Sequence, residues 1–293
     1  MRERLTQQVI GFVGLGRMGI PMTGRLRAAG YTVLGYDIRP QARKELGEGA
    51  VANLHEVAAG AEAVILMLPD SGVVAQVAEA DGLLDAMAPG TLLVDMSSSE
   101  PAGTVELAAA ASRRGIRVVG APVSGGVSGA RAGTLTIMAG GDAGDVERVR
   151  PVLEAIGGRV LHVGPGPGAG HALKALNNLL SGITMLATSE AMLAGQRFGL
   201  DPQVMLDALN TSSGRSGSTE NKWPNYVLTG TYDAGFTLRL LIKDMNIALG
   251  VGRQSGARMP LGETATSLWE RAGRSLPPDA DHTEIVKWLD IKA

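Results

Sequence analysis

Residues 9–37 read VIGFVGLGRMGIPMTGRLRAAGYTVLGYD. Val9 to Val13 is a short apolar run of the kind that makes a buried strand. Gly14, Gly16 and Gly19 follow in G-x-G-x-x-G spacing, with Leu15, Arg17 and Met18 between them. A helix is expected from Ile20 or Pro21 to Ala29, with Gly30 as its stop. A second strand, Thr32 to Tyr36, ends in Asp37. Strand, glycine turn, helix, strand and acid are the context in which this glycine spacing binds a dinucleotide. Gly14 permits the sharp turn, Gly16 lets the backbone approach a pyrophosphate, and Gly19 lets the helix pack close to the strand. The helix N-terminus offers free N–H groups and the positive end of its dipole. Asp37 would accept hydrogen bonds from a ribose diol and repel a 2′-phosphate, which favours NAD. Arg39, two residues on, is the counter-argument, because a guanidinium can hold that phosphate and so admits NADP.

The same alternation continues. Ala63 to Leu68 and Leu92 to Asp95 are uninterrupted apolar runs, the pattern of parallel strands covered on both faces, and Val118 to Gly120 and Leu135 to Ala139 add two more. The expected fold is α/β: a Rossmann-type, doubly wound, mostly parallel sheet over residues 8–166, followed by an all-helical domain over 167–293. In such sheets ligands lie outside the carboxyl ends of the strands. That places Leu68, Pro69 and Ser98 among candidate cofactor contacts, although the serines of Met96-Ser97-Ser98-Ser99 also suit a helix N-cap before Pro101. Ser124, Gly125 and Gly126 form a turn whose consecutive N–H groups and hydroxyl suit a carboxylate; a plain glycine-rich connection is the alternative.

Composition narrows the function class. The chain has 293 residues, 45% hydrophobic and 19% charged, enough for two domains with substantial cores. A net charge of -2 gives no basic footprint for nucleic acid or an anionic membrane. With Cys 0 there are no disulfides, thiolate metal sites or cysteine nucleophiles, which fits a reducing cytoplasm. No metal site is expected. The start MRERLTQQ is polar, so no signal peptide is read there. The apolar stretch Leu173 to Leu193 is interrupted by Lys174, two asparagines and Glu190, which makes it a buried helix and not a membrane span.

From Gly164 the chain reads GPGPGAGHALKALNNLLS, a loop opening into a long linking helix over about residues 168–198. Lys174 and Asn178 are one turn apart, with His171 just before the lysine, so all three share one face. Taken alone, such a lysine is a solvated residue on an amphipathic helix, and the histidine a structural one. Beyond Phe198 the strands stop. Asp201 caps a helix with Pro202 at its first position, a short helix is expected near Asn221 to Leu228, and a longer one over Phe236 to Val251 carries Leu240, Lys243 and Ile247 along one stripe. Pro260 to Ala272 and Thr283 to Leu289 complete the expected helices.

Five motifs in order carry a family resemblance: Gly14-Leu-Gly16-Arg-Met-Gly19-Ile-Pro21-Met22, Asp95-Met-Ser97-Ser98, Pro122-Val-Ser124-Gly125-Gly126, Gly170-His-Ala-Leu-Lys174-Ala-Leu-Asn177-Asn178 and Lys243-Asp244. The chain resembles the β-hydroxyacid dehydrogenase family, nearest to its 3-hydroxyisobutyrate dehydrogenase-like branch. The resemblance implies an NAD-dependent oxidoreductase acting on a small carboxylate substrate, a β-hydroxy acid or its semialdehyde, and working as a homodimer or homotetramer. It implies Lys174 as catalytic acid/base, Asn178 as a substrate-orienting amide, Ser124, Gly125 and Gly126 as the carboxylate site, and Lys243 close to nicotinamide and substrate. Hydride transfer from an alcohol requires that its hydroxyl proton be removed, and a lysine does this at neutral pH only if its pKa falls below about 10.4. An NADPH-dependent reductase of short aldehydes such as glyoxylate or succinic semialdehyde is the alternative. A dinucleotide sensor without turnover leaves Lys174, Asn178 and Ser124 unexplained.

Overall fold

The sheet grows outward from the glycine turn. A computed structural model describes residues 9–290; the polar start and the outermost ends of both expected domain ranges, residue 8 and residues 291–293, lie outside the described residues. The first half runs β1 (Val9–Val13), α1 (Gly19–Ala28), β2 (Thr32–Tyr36), α2 (Pro40–Leu46), α3 (Leu54–Ala58), β3 (Ala63–Leu66), α4 (Ser71–Ala75), α5 (Leu83–Ala86), β4 (Leu92–Asp95) and α6 (Pro101–Ser112). It continues with β5 (Arg117–Gly120), β6 (Val123–Ser124), α7 (Gly126–Ala132), β7 (Leu135–Gly140), α8 (Ala143–Ile156) and β8 (Gly157–Gly164). The strand order is β2-β1-β3-β4-β5-β7-β6, with β8 on β7. The first five strands are parallel, and β7 and β8 are parallel to each other. β7 turns antiparallel to β5 and to β6, so the sheet is doubly wound and mostly parallel, with its reversal at the β5 edge.

Every residue of β3 and β4 is buried, as their unbroken apolar runs require. Alternate side chains of one strand feed two cores. Ala63, Ile65, Leu92 and Val94 join Met22, Leu26 and the apolar face of α8 on one side of the sheet. Val64, Leu66 and Leu93 join α3, α5 and α6 on the other. β3 ends at Leu66, two residues short of the expected strand, because Met67 to Asp70 turn away into α4, where Asp70 accepts from Val73 N at 3.0 Å as N-cap.

The second half is helical: α9 (Ala169–Phe198), α10 (Pro202–Asn210), a π-helix over Ser218–Val227, α11 (Leu238–Ser255), α12 (Pro260–Ser275), a 3₁₀ turn at His282–Glu284 and α13 (Ile285–Leu289). The chain divides into two compact units, the first ending at Lys174 and the second starting at Ala175, within α9. In the second, Met185, Met192, Trp223, Leu241, Met245 and Trp269 form the centre of one apolar core. Asp201 caps α10 as expected, accepting from Gln203 N at 2.9 Å and Val204 N at 3.0 Å. The buried stripe of α11 differs from the expected one. Leu238, Leu241, Met245, Ala248 and Gly252 face the core together with Asp244, whereas Leu240 is exposed and Lys243 and Ile247 are half-buried. Among the described residues no helix is long and apolar enough to cross a membrane.

Candidate active site

The carboxyl edge of the sheet gathers the expected dinucleotide residues of the first unit. Gly14 has φ +98, and a Cβ there would stand 2.3 Å from Met67 O. A Cβ on Gly19 would stand 2.0 Å from Gly14 O, so strand and helix close on each other only without side chains at both positions. Gly16 differs: the nearest atom to a Cβ there is Arg39 Nη2 at 3.7 Å, which leaves an open backbone surface at the start of α1. A pyrophosphate fits such a cradle, held by first-turn N–H groups and the helix dipole. Arg17 is exposed, Met18 half-buried and Leu15 buried.

Asp37 is buried at the end of β2, and its two oxygens take four hydrogen bonds. Oδ2 accepts from Leu15 N at 2.9 Å and Arg39 Nη2 at 3.1 Å. Oδ1 accepts from Arg39 N at 2.9 Å and Arg39 Nε at 3.0 Å. Burial pushes the Asp37 pKa up, but the hydrogen bonds from Arg39 and Leu15 and the guanidinium charge outweigh it and hold the carboxyl below its ordinary value. The two residues that pulled the cofactor reading in opposite directions are thus one ion pair over the glycine turn.

At the neighbouring strand ends, Leu68 N donates to Ser97 Oγ at 2.9 Å and ties the β3 turn, with Leu68 and Pro69, to the β4 turn, with Ser98. Asp95, fully buried, accepts from Ser97 N at 3.0 Å and Ser99 Oγ at 2.7 Å. These serines are not helix caps: α6 starts from Glu100, whose N–H donates to Ser71 Oγ at 2.6 Å. His171 completes this network. It is 1% exposed, with Nδ1 2.9 Å from Thr104 Oγ1 and Nε2 3.1 Å from Ser97 O and 3.6 Å from Asp95 Oδ2. The histidine is therefore an anchor inside the first unit, joining the first turn of α9 to the β4 turn. Lys174, half-buried, stands three residues beyond it.

Ser124 closes β6 opposite Thr136, and Gly125 and Gly126 follow with φ +131 and +62. Both glycines are exposed, and their positive φ values make a turn at the start of α7 that an L side chain would strain.

In the second unit, Asn178 is buried and its Nδ2 donates to Asp244 Oδ2 at 2.6 Å. Its Oδ1 accepts from Asn177 Nδ2 at 3.1 Å. Lys243 Nζ lies 4.0 Å from Asp244 Oδ1. Asp244 thus fixes which way the Asn178 amide faces and stands beside Lys243. The sequence marked it only as the neighbour of Lys243; its one local signal was a carboxylate on the apolar stripe of α11. Among the described residues no group of three His, Asp or Glu side chains is arranged to hold a metal.

A nucleotide cradle at the carboxyl edge of a doubly wound sheet, followed by a helical unit introduced by a lysine-bearing helix, defines an NAD(P)-linked oxidoreductase. Residues 9–164 match the family described as the NAD binding domain of 6-phosphogluconate dehydrogenase, and residues 168–289 match that described as NAD-binding of NADP-dependent 3-hydroxyisobutyrate dehydrogenase. The chain is 40% identical to 2-(hydroxymethyl)glutarate dehydrogenase of Eubacterium barkeri, over 91% of this chain and 89% of that one. It is 38% identical to NAD-dependent L-serine dehydrogenase of Pseudomonas aeruginosa, over 96% and 97%. The structure of a 3-hydroxyisobutyrate dehydrogenase of Mycobacterium tuberculosis with L-serine superposes with a TM-score of 0.90 at 32% identity, covering 97% of this chain and 100% of that one. The chain belongs to the β-hydroxyacid dehydrogenase family, whose members are NAD(P)-dependent enzymes acting on CH–OH groups.

Proposed function

We propose that the enzyme oxidises a small β-hydroxy acid, or reduces the matching semialdehyde, with NAD as the preferred cofactor and Lys174 as general acid/base. The observation that carries this reading is the clamp on Lys174: through His171, the first turn of α9 is bonded to the β4 turn that bears Ser98. A proton-transfer group must be held to a fraction of an ångström, and a lysine one turn beyond a buried, doubly bonded histidine meets that need. The nicotinamide, when bound, supplies or accepts the hydride. In the oxidation direction the neutral Lys174 amine takes the hydroxyl proton as the carbinol carbon loses its hydride; in reduction the ammonium returns it. Asn178, its amide oriented by Asp244, orients the substrate oxygen. Ser124 Oγ and the N–H groups of Gly125 and Gly126 hold the carboxylate, and Lys243 lies close to nicotinamide and substrate.

Asp37 supports NAD, and the turn Gly14, Leu15, Gly16, Arg17, Met18 and Gly19, with Leu68, Pro69 and Ser98, completes the proposed cofactor contacts of the first unit. Arg39 favours a second reading, an NADPH-dependent reductase of short aldehydes, because its guanidinium already lies over the glycine turn. Relatives named for 3-hydroxyisobutyrate, L-serine and 2-(hydroxymethyl)glutarate bracket the substrate as a three- to six-carbon acid. Exposed Leu180, Phe198, Leu200 and Val204 support assembly as a homodimer or homotetramer. The cysteine-free sequence fits work in the cytoplasm. The test is NADH formation from 3-hydroxyisobutyrate, L-serine and 2-(hydroxymethyl)glutarate by the wild type and by Lys174→Ala. The variant is expected to lose about 10²–10⁴-fold in kcat while NAD still binds. Turnover within about tenfold of wild type would remove Lys174 from the chemistry.

A further inference from the structure

We propose that Asp95 is a positioning residue for the nicotinamide half of the cofactor: its buried carboxylate grips the chain on both sides of Ser98 and sets where that serine stands. The inference rests on the reading of Ser98 as a cofactor contact given above.

Asp95 closes β4 at the carboxyl edge of the sheet and is 0% exposed. Burying a carboxylate is costly unless its oxygens are bonded. Each oxygen of Asp95 has a partner, and the two partners flank one residue: Oδ1 accepts from Ser97 N at 3.0 Å and Oδ2 from Ser99 Oγ at 2.7 Å. A side chain that only capped the turn would need the first of these bonds. The second, reaching past Ser98 to Ser99, makes the carboxylate a bracket. Ser97 is held at every polar atom: besides the N–H given to Asp95, its Oγ accepts from Leu68 N at 2.9 Å and its carbonyl from His171 Nε2 at 3.1 Å. Both ends of the turn are fixed too, by Met96 N on Leu66 O at 2.9 Å and by Glu100 N on Ser71 Oγ at 2.6 Å. Ser97 and Ser99 are buried, whereas Ser98 between them is half-buried. The turn keeps its outer serines inside and leaves the middle one accessible.

Strand order identifies the part of a dinucleotide that Ser98 meets. The sheet runs β2-β1-β3-β4 from its edge. Neighbouring strands are about 4.8 Å apart, so the ends of β2 and β4 are separated by about 14 Å. A dinucleotide with its adenosine ribose on Asp37 and its pyrophosphate on the glycine turn after β1 reaches β4 with its nicotinamide half. Hydride transfer tolerates little error in where that half lies, and a serine can hold it only if its own backbone is held.

The experiment measures NADH binding by fluorescence titration and ADP binding by calorimetry, using the full chain as wild type, Ser98→Ala, Asp95→Asn, Ser99→Ala and the double variant Asp95→Asn with Ser98→Ala. Ser98→Ala should weaken NADH about 3- to 10-fold, the effect of one lost hydrogen bond. Asp95→Asn keeps the size of the side chain but sets an amide N–H group where Oδ2 faces His171 Nε2 at 3.6 Å, and should weaken NADH by a similar factor. ADP carries the adenosine and pyrophosphate without the nicotinamide, and should bind every variant within about twofold of wild type. In the double variant the Asp95 change should add less than about twofold to the Ser98 change, because its effect passes through the serine. Ser99→Ala cuts only the Oδ2 arm of the bracket and should weaken NADH in the same direction. Should Asp95→Asn not fold, Ser99→Ala and its own double variant with Ser98→Ala carry the same comparison. Additive effects, an equal loss of ADP binding, or unchanged NADH binding in the bracket variants overturns the positioning role. Unchanged NADH binding in Ser98→Ala overturns instead the contact on which that role rests.

Discussion

Replacing Asp37 by alanine is expected to reverse the choice between NAD and NADP, and the size of the change follows from the hydrogen bonds. A carboxylate has about four lone-pair sites. Those of Asp37 are filled by Leu15 N, Arg39 N and two guanidinium nitrogens. A ribose diol reaches the carboxylate only where the guanidinium gives way. The Arg39 side chain is 62% exposed, so displacing it costs no more than about 1 kcal/mol. Hydrogen bonds from the diol to a charged acceptor return about 1.5–3 kcal/mol. Asp37→Ala removes that acceptor, and kcat/KM for NAD should fall roughly 30-fold.

With NADP the sign is opposite. The variant no longer repels the 2′-phosphate and frees Arg39 to bind it, a gain of about 1–2 kcal/mol. The NAD-to-NADP ratio should therefore move by about two to three orders of magnitude. Arg39→Ala is the matching control: NADP should weaken, while NAD holds or improves up to about fivefold. Initial rates with each cofactor at fixed substrate measure both. Because the Asp37 carboxyl is held below its ordinary value of 3.8, it stays charged throughout the neutral range, and the preference should be flat with pH there. The variant also leaves Leu15 N without its acceptor, so folded fraction is checked by circular dichroism. A ratio in Asp37→Ala within threefold of wild type would refute the reasoning.

Other outcomes follow from single clusters. His171→Ala removes the ring that bonds Ser97 O and leaves Thr104 Oγ1 with Glu100 O alone, opening a hole in a buried site, and should cost about 2–4 kcal/mol, read as a lower urea midpoint, with kcat falling alongside; His171→Gln should recover part of both. An unchanged midpoint would deny the anchor. Asp281 accepts from Gly235 N at 2.8 Å, Thr283 N at 3.0 Å and Thr283 Oγ1 at 2.7 Å, and forms a capping box with Glu284. Burial raises its pKa, but His282 and the Thr283 hydrogen bonds overcome this and bring it to about 2. A depressed carboxylate pKa stabilises above the unfolded value and loses that contribution as pH falls through the folded one. Asp281→Ala should therefore cost about 2 kcal/mol at neutral pH. Its stability curve should converge on that of wild type between about pH 4 and pH 2. Parallel acid curves would show that Asp281 is not the titrating group.

What the sequence disclosed and what it withheld divide along physical lines. β1 and β4 were legible to the residue because a strand buried on both faces writes itself as an apolar run between turn residues, whereas the half-exposed edge strand β2 is marked by its bounds at Gly30 and Asp37. β8 was not, since GGRVLHVG opens with two glycines and lies half-open beside β7 with no apolar run to mark it. β6 is only Val123–Ser124, too short for any period. The antiparallel entry of β7 was also hidden, because side chains alternate identically whichever way a strand runs. The short helix expected near Asn221 to Leu228 is a π-helix over Ser218–Val227, whose wider winding follows no 3.6-residue period.

The candidate site divides the same way. Lys174 and Asn178 share a face by helix spacing alone, and the glycine turn is fixed by close approach within a few residues. The groups that fix Asn178 and the start of α9 come from far along the chain: Asp244 stands 66 residues from Asn178 and Thr104 is 67 from His171. No local period encodes such pairs. His171 shows the consequence most directly. Helix spacing marks it as a structural residue on the face of the lysine, and its two ring nitrogens reach α6 and the β4 turn. It therefore holds the first turn of α9, which leads into Lys174, against the β4 turn, a tie that only the folded chain can show.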